Sequence, residues 1–136
     1  MDSEAYFQLL RQCSLDDIHL TACSAQRLVD QAADLDPKLT LTEKGSFERR
    51  SPERYALNMT FTLTAPMRGQ RRTGLKLQST WQVLMDSSTP LPDEFLENYV
   101  NHNLAFNLWP SWRQWVLDAS ARMGLPPVLL PLRFPA

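Results

Sequence analysis

The stretch Tyr55–Ala65, YALNMTFTLTA, constrains the fold more than any other part of the chain. Apolar residues fall at every second position: Tyr55, Leu57, Met59, Phe61, Leu63 and Ala65, against Ala56, Asn58, Thr60, Thr62 and Thr64. A period of two belongs to a strand with one face for a core and one for water. GLKLQSTWQVLM repeats the pattern, with Leu75, Leu77, Ser79, Trp81, Val83 and Met85 against Lys76, Gln78, Thr80 and Gln82. PMRGQRR lies between the two, and Gly69 supplies the positive φ that a tight hairpin turn needs. Two further segments alternate. In SLDDIHLTAC, Ile18, Leu20 and Ala22 oppose Asp17, His19, Thr21 and Cys23; in PKLTLTEKGSF, Leu39 and Leu41 oppose Lys38, Thr40 and Thr42. Four such strands predict an antiparallel sheet with one buried face. Residues 24–37 between the first two strands are too long for a tight hairpin and carry their own apolar residues, Leu28, Val29 and Leu35.

Elsewhere the period is helical. Ala5 with Leu9, and Phe7 with Leu10, predict a short helix in residues 3–12. Beyond the turn-rich DSSTPLP, Phe95, Leu96, Tyr99 and Val100 share a stripe, which predicts a helix over 93–102. Leu108, Trp109, Trp112, Trp115, Val116, Ala119 and Met123 mark a longer one, with Trp112 and Val116 as core residues. Pro110 is expected in its first turn, where a missing N–H costs little. Gly124 stands where a left-handed C-cap belongs, and Pro126 stops further helix. The expected fold is α+β, a four-stranded antiparallel sheet with C-terminal helices packed on one face. A length of 136 residues suits a single domain, 1–136, divided into a helix (1–12), four strands (13–86), two helices (93–123) and a proline-rich end (124–136).

Composition narrows the function. A net charge of −1 steers neither nucleic acid nor an acidic membrane surface. Cys13 and Cys23 have no partners at zinc-ligand spacing, so no metal is expected; nothing demands the disulfide the two could form, and both read as buried or half-buried thiols. No apolar run approaches the length of a membrane span, which is about 20 residues. The start MDSEAYFQLL lacks a basic segment, and the expected location is cytoplasmic. No Ser-His-Asp set, carboxylate pair or glycine-rich phosphate loop is present, so neither an enzyme nor a cofactor is expected. Asp16–Asp17 reads as a strand start, His19 as solvated and His102 as a helix end. Arg68, Arg71 and Arg72 make the hairpin basic, but three arginines without an aromatic are a poor nucleic-acid site, which leaves that function a remote alternative.

The C-terminal stretch NLAFNLWPSWRQWVLDASARMGLPPVLLPLRF carries a resemblance. Trp109-Pro110-Ser111-Trp112, a long helix, Gly124-Leu125-Pro126-Pro127, Leu129-Leu130-Pro131 and Phe134 follow one another as in SecB, the bacterial export chaperone. SLDDIHLTACSAQ is similar to that family's first strand. The resemblance covers roughly residues 13–134. It implies an ATP-independent homotetramer, a dimer of dimers, with a dimer as the fallback. Such a protein holds non-native polypeptide in an apolar groove and passes export clients to SecA. The implied SecA surface is acidic, whereas this chain keeps Asp17 but has Thr21, Lys76 and the Arg68, Arg71, Arg72 turn, and it ends at Ala136 without the family's final helix and tail. SecA binding is therefore doubtful. A toxin–antitoxin-associated branch, whose chaperone protects an antitoxin through a short apolar segment, fits better.

The resemblance places client-binding residues along the first connection and the adjoining strands and helix: Leu35, Leu39, Phe47, Met59, Phe61, Trp81, Met85 and Trp109. Ile18, Phe95, Tyr99 and Phe106 are the expected oligomer interface, because the helices carry more apolar stripe than one sheet covers. Val128–Leu132 reads as a core plug, its prolines preventing open strand pairing.

Overall fold

The computed structural model describes residues 1–131 and Arg133. The chain runs α1 (Ser3–Leu10), β1 (Cys13–Arg27), a single 3-10 turn (Ala32–Asp34), β2 (Thr40–Ser51), β3 (Arg54–Pro66), β4 (Thr73–Ser87), α2 (Asp93–His102) and α3 (Leu104–Arg122). The strands form one antiparallel sheet in the order β1-β4-β3-β2. This order explains the long first connection. β1 and β2 are consecutive in sequence but occupy opposite edges, so residues 28–39 must cross the end of the sheet between them.

β3 and β4 are the central strands, and their alternation is the cleanest because only central strands have neighbours on both sides. Tyr55, Leu57, Phe61, Leu63, Leu75, Leu77, Val83 and Met85 are completely buried under the helices. Phe61 stacks on Trp112 with ring centroids 5.1 Å apart, and Trp115 extends the stack at 5.5 Å. Trp112 and Val116 are core residues, as expected. The opposite face is polar. Thr60 and Thr80 pair through their hydroxyls at 2.8 Å, and Gln82 donates to Asn58 at 3.1 Å. Gly69 turns the hairpin with φ 72°.

Three details depart from the expected pattern. First, β1 does not alternate strictly. Its register with β4 slips between Leu15 and Asp17 and again between Leu20 and Ala22. The second bulge reverses the faces beyond it: Ala22 pairs with Thr80 on the polar side, and Cys23 pairs with Ser79 on the helix side. Cys23 is therefore exposed on an open edge rather than buried, while Cys13 is half-buried with its thiol pKa raised by desolvation. Second, β1 extends to Arg27, so the connection begins later than residue 24. Third, α3 begins at Leu104 and Pro110 lies inside it, not in its first turn. Buried Leu104 and Ala105 extend the Leu108 stripe back by a turn, and Asn103 alone separates α2 from α3. Pro110 simply forgoes the bond its N–H would have donated to the preceding turn.

Candidate functional site

Both walls of the site are segments outside the sheet and the α-helices, fixed by specific hydrogen bonds. One wall is the connection, residues 28–39. Its backbone is tied to the sheet end where Leu28 N–H donates to the Gly74 carbonyl (2.8 Å) and Asp36 N–H to the Pro66 carbonyl (2.9 Å). Gly74 lets the connection pack closely: a Cβ there would stand 2.8 Å from Leu35 Cδ1, 3.1 Å from Val29 Cγ1 and 3.2 Å from the Met67 nitrogen, and these neighbours would have to shift. The hairpin holds the same wall from above. Arg68 N–H donates to the Asp34 carbonyl at 2.7 Å, and the Arg68 guanidinium donates to the carbonyls of Ala33 (3.0 Å) and Leu35 (3.4 Å). Arg68 is thus engaged with backbone carbonyls, which removes one of the three arginines of the basic hairpin from phosphate recognition.

The other wall is the proline-rich end. α3 ends at Arg122, and just beyond it Gly124, φ 70°, donates its N–H to the Ala121 carbonyl while Leu125 N–H donates to the Ser120 carbonyl, a left-handed cap that reverses the chain. The chain then returns along α3. Its Val128 N–H donates to Ser120 Oγ (3.2 Å), while its carbonyls at Leu130 and Pro131 accept from Arg113 Nε and Trp109 Nε1, both at 2.7 Å. Arg133 sits over the Trp109 ring and pairs with Glu43 on β2. Proline and side-chain donors replace the hydrogen bonds that a strand would have made. Leu125 and Leu130 are buried as a plug, but Leu129 is 67% exposed. The plug reading holds for Leu130 and fails for Leu129; Leu132 and Phe134 lie outside the described residues.

Between the walls lies an open cavity of about 290 Å³ lined by Leu35, Leu39, Leu75, Leu125, Val128 and Leu129, with Ala32 and three prolines filling the gaps. Asp36 is its only ionisable lining residue. Leu129 also lines a second cavity of about 340 Å³ with Pro110, Arg113, Gln114 and Leu117 on α3, so it stands as a ridge between two depressions. The arrangement offers contiguous apolar surface on fixed walls.

Of the expected client-binding residues, the structure brings Leu35 and Leu39 together here. Met59, Phe61 and Met85 belong to the core and present no open surface. Phe47 is half-buried on β2, and Trp109 is spent holding the tail. Trp81 borders a separate shallow cavity of about 490 Å³ with Trp115, Pro110 and Asp118, its own N–H donating to Ser79 Oγ. The expected interface divides in the same way. Phe95 and Tyr99 are buried within this chain and Phe106 is half-buried, whereas Ile18 is 42% exposed. The helices are therefore covered after all, by α1, β2 and the returning tail. Within the sheet, exposed large apolar side chains lie on β1, at Leu15, Ile18 and Leu20; outside it they include Phe7 on α1, Leu28 and Leu39 on the connection and Leu129 on the tail. The sequence reading missed the tail's contribution to the site, Leu125 to Leu129. The signal was the alternation of leucines with prolines, which leaves some side chains with neither helix nor strand to cover them.

No family model matches the chain. No curated protein matches it in sequence. Solved structures do match. The Mycobacterium tuberculosis SecB-like chaperone Rv1957, in complex with a ChAD peptide from the HigA1 antitoxin Rv1956, superposes with a TM-score of 0.78 at 20% identity, over 96% of this chain and 97% of that one. The chain has a SecB-like fold. A protein of unknown function from Streptococcus agalactiae also aligns, with a TM-score of 0.52 at 12% identity over 88% of this chain and 96% of that one.

Within the SecB-like fold, the polar sheet face can be located residue by residue. Asp17, His19, Gln82 and Lys76 lie on it, with Asp17 3.2 Å from His19. Thr21 is the bulged residue of β1, its hydroxyl donating to the Thr80 carbonyl at 3.1 Å. The face is threonine-rich and carries charges of both signs. No helix is long and apolar enough to cross a membrane, and among the described residues no cluster of three His, Cys, Asp or Glu side chains could hold a metal.

Proposed function

We propose that this chain is an ATP-independent chaperone that holds an apolar segment of a non-native polypeptide in the cavity between residues 28–39 and 124–131. The observation that carries the reading is the apolar lining of that cavity, with Leu35, Leu39 and Leu129 presented on walls fixed from outside. Each buried leucine-sized side chain of a client contributes roughly 1.5–3 kcal/mol of transfer free energy. Two or three such anchors give roughly 3–9 kcal/mol before the cost of association, which leaves about millimolar binding at one site, and micromolar binding requires several such contacts engaged together. The client is a dedicated one, an antitoxin segment, in keeping with the peptide held by the M. tuberculosis structure. The functional unit is a homo-oligomer joined through β1, whose helix-side residues Leu15, Ile18 and Leu20 are exposed.

The test is suppression of aggregation of a chemically unfolded protein, with and without ATP. Suppression independent of ATP, weakened in Leu39→Asp and Leu129→Asp, is the expected result. No suppression and no effect of either substitution would end the reading for general clients. An antitoxin encoded beside this chain should then be tested directly, and failure to bind it would end the dedicated-client reading. Export is the second possibility, and the mixed charge of the sheet face argues against it. A calorimetric titration is expected to show weak or no SecA binding. Thr21→Glu with Lys76→Glu is expected to increase attraction through steering and rim contacts.

A further inference from the structure

The two walls of the cavity come from distant parts of the chain, and one side chain reaches the root of each. Arg27, the last residue of β1, donates from Nε to the Val29 carbonyl at 2.9 Å and from Nη2 to the Asp30 carbonyl at 2.6 Å, where the connection begins. From Nη1 it donates to the Met123 carbonyl at 2.6 Å, where α3 ends and the tail begins. Among the described residues it is the only side chain that hydrogen-bonds both to the connection and to the carbonyl at which the tail leaves α3.

We propose that Arg27 is a positioning residue that fixes the spacing between the two walls of the client groove. The inference rests on the proposed chaperone reading for its meaning, and on geometry for its mechanism. A guanidinium carries five N–H donors in a rigid plane, so it can serve three carbonyls at once without changing shape. The Met123 carbonyl is a helix-terminal acceptor that α3 itself cannot satisfy, and a cation there is favoured by the helix dipole. Gly124 eases the approach, since a Cβ at this position would stand 3.3 Å from Arg27 Nη1, a contact the guanidinium would have to relieve by shifting. Downstream of these contacts the walls diverge, the connection anchored by Arg68 and the tail by Arg113 and Trp109. Those anchors hold each wall to its own support; Arg27 holds the walls to each other. A groove whose walls are set before a client arrives avoids the ordering cost of binding.

The test uses the full chain. In a Cys13→Ser, Cys23→Ser background, spin labels at Asp36→Cys and Leu129→Cys report the distance across the groove. Arg27→Met is expected to broaden that distribution, and Arg27→Lys to broaden it partially, because one ammonium cannot span three carbonyls. Without the labels, binding of fluorescein-labelled, reduced and carboxymethylated α-lactalbumin is expected to weaken about tenfold in Arg27→Met, as a competent groove becomes a minority state. Arg27→Lys should fall between Arg27→Met and the parent. An unchanged distance distribution in a folded Arg27→Met or Arg27→Lys protein overturns the positioning role, and so does unchanged probe binding alongside measurable binding by the parent. If the parent fails to bind the probe, the chaperone reading fails for general clients, and the distance measurement still decides whether Arg27 sets the walls.

Discussion

Along β2, one edge of the sheet, Glu43, Lys44, Glu48, Arg49 and Arg50 crowd into 12 residues; along β1, the other edge, no Asp, Glu, Lys or Arg occurs from Ile18 to Gln26 in a strand of 15. β2 is also covered from within. Gly45 lets it approach α2 so closely that a Cβ would stand 2.4 Å from Val100 Cγ1. β1 receives no such cover: Leu15, Ile18 and Leu20 point to the helix side of the sheet and remain about two-fifths exposed. Charge on an edge prevents pairing with another chain, and an uncharged edge with an apolar flank invites it. The two edges teach where an assembly should form. The bulges at the start and middle of β1 leave only short regular stretches, which suits a closed pairing rather than an open-ended one.

The largest effect should come from charging the uncovered edge. Ile18→Asp with Leu20→Asp is expected to reduce the particle in light scattering to the mass of one chain. Thr40→Asp with Thr42→Asp on β2 should leave the mass unchanged. A stable monomer in the parent protein, or equal effects at both edges, would break the comparison.

The next effect tests β2. Gly45→Val forces an overpacked contact with Val100 and should cost about 1–3 kcal/mol in urea unfolding. The loss should not depend on protein concentration, because β2 is held within the chain. Any loss from β1 substitutions should depend on it, because association stabilises by mass action.

How legible was this in the residues? The central strands were plain, because both neighbours and the core act on them and alternation is the only solution. The edge strands were less plain for the same reason. In β1, bulges cost little at an open edge, and they moved Ala22 and Cys23 to faces that strict alternation does not give. The start of α3 was misplaced because Pro110 resembles a first-turn proline, whereas packing of Leu104 and Ala105 decided the boundary. The site was half legible. Leu35 and Leu39 follow from a long apolar connection, but their partners on the tail required knowing that Gly124 turns the chain back. Arg27 could not be read as special, since its role comes from three backbone carbonyls that no sequence pattern displays.

A pH effect of similar or smaller size separates the helix layer from both edges. Burial pushes Tyr99 on α2 up to about 12, with the neighbouring Tyr6 adding to the rise; burial raises Tyr6 on α1 to about 12 as well. Their unfolded value is near 10. The folded state therefore keeps these protons longer. The stability they contribute is fully present below about pH 10 and is lost as pH rises towards 12, by up to about 2 kcal/mol for Tyr99 and less for half-exposed Tyr6. Thermal unfolding at increasing pH should show this fall. Tyr99→Phe should flatten part of it while leaving the β1 association intact. An unchanged alkaline profile in that variant would show that Tyr99 titrates elsewhere.

The smallest effects belong to two arginines, Arg54 on β3, which reaches past β4 to the β1 edge, and Arg49 on the β2 edge. Arg54 bridges Asp16 on β1 (3.1 Å) and Asp86 on β4 (3.3 Å); Arg49 on β2 pairs with Asp93 at the start of α2. All five of these carboxylate and guanidinium groups are substantially exposed, so Coulomb attraction in water is weak and side-chain ordering offsets much of it. Arg54→Gln and Arg49→Gln should each lose less than about 1 kcal/mol. The two should differ in their response to salt. Arg49 also lies over the Tyr55 ring, 5.5 Å from its centroid, a contact that Arg54 lacks among the described residues. Ring contact and stem packing survive screening better than a carboxylate pair at an open surface. In urea unfolding at high salt the Arg54→Gln loss should therefore vanish, while part of the Arg49→Gln loss remains. Equal residues of stability at high salt would mean that the closed edge owes nothing to Arg49 beyond its charge.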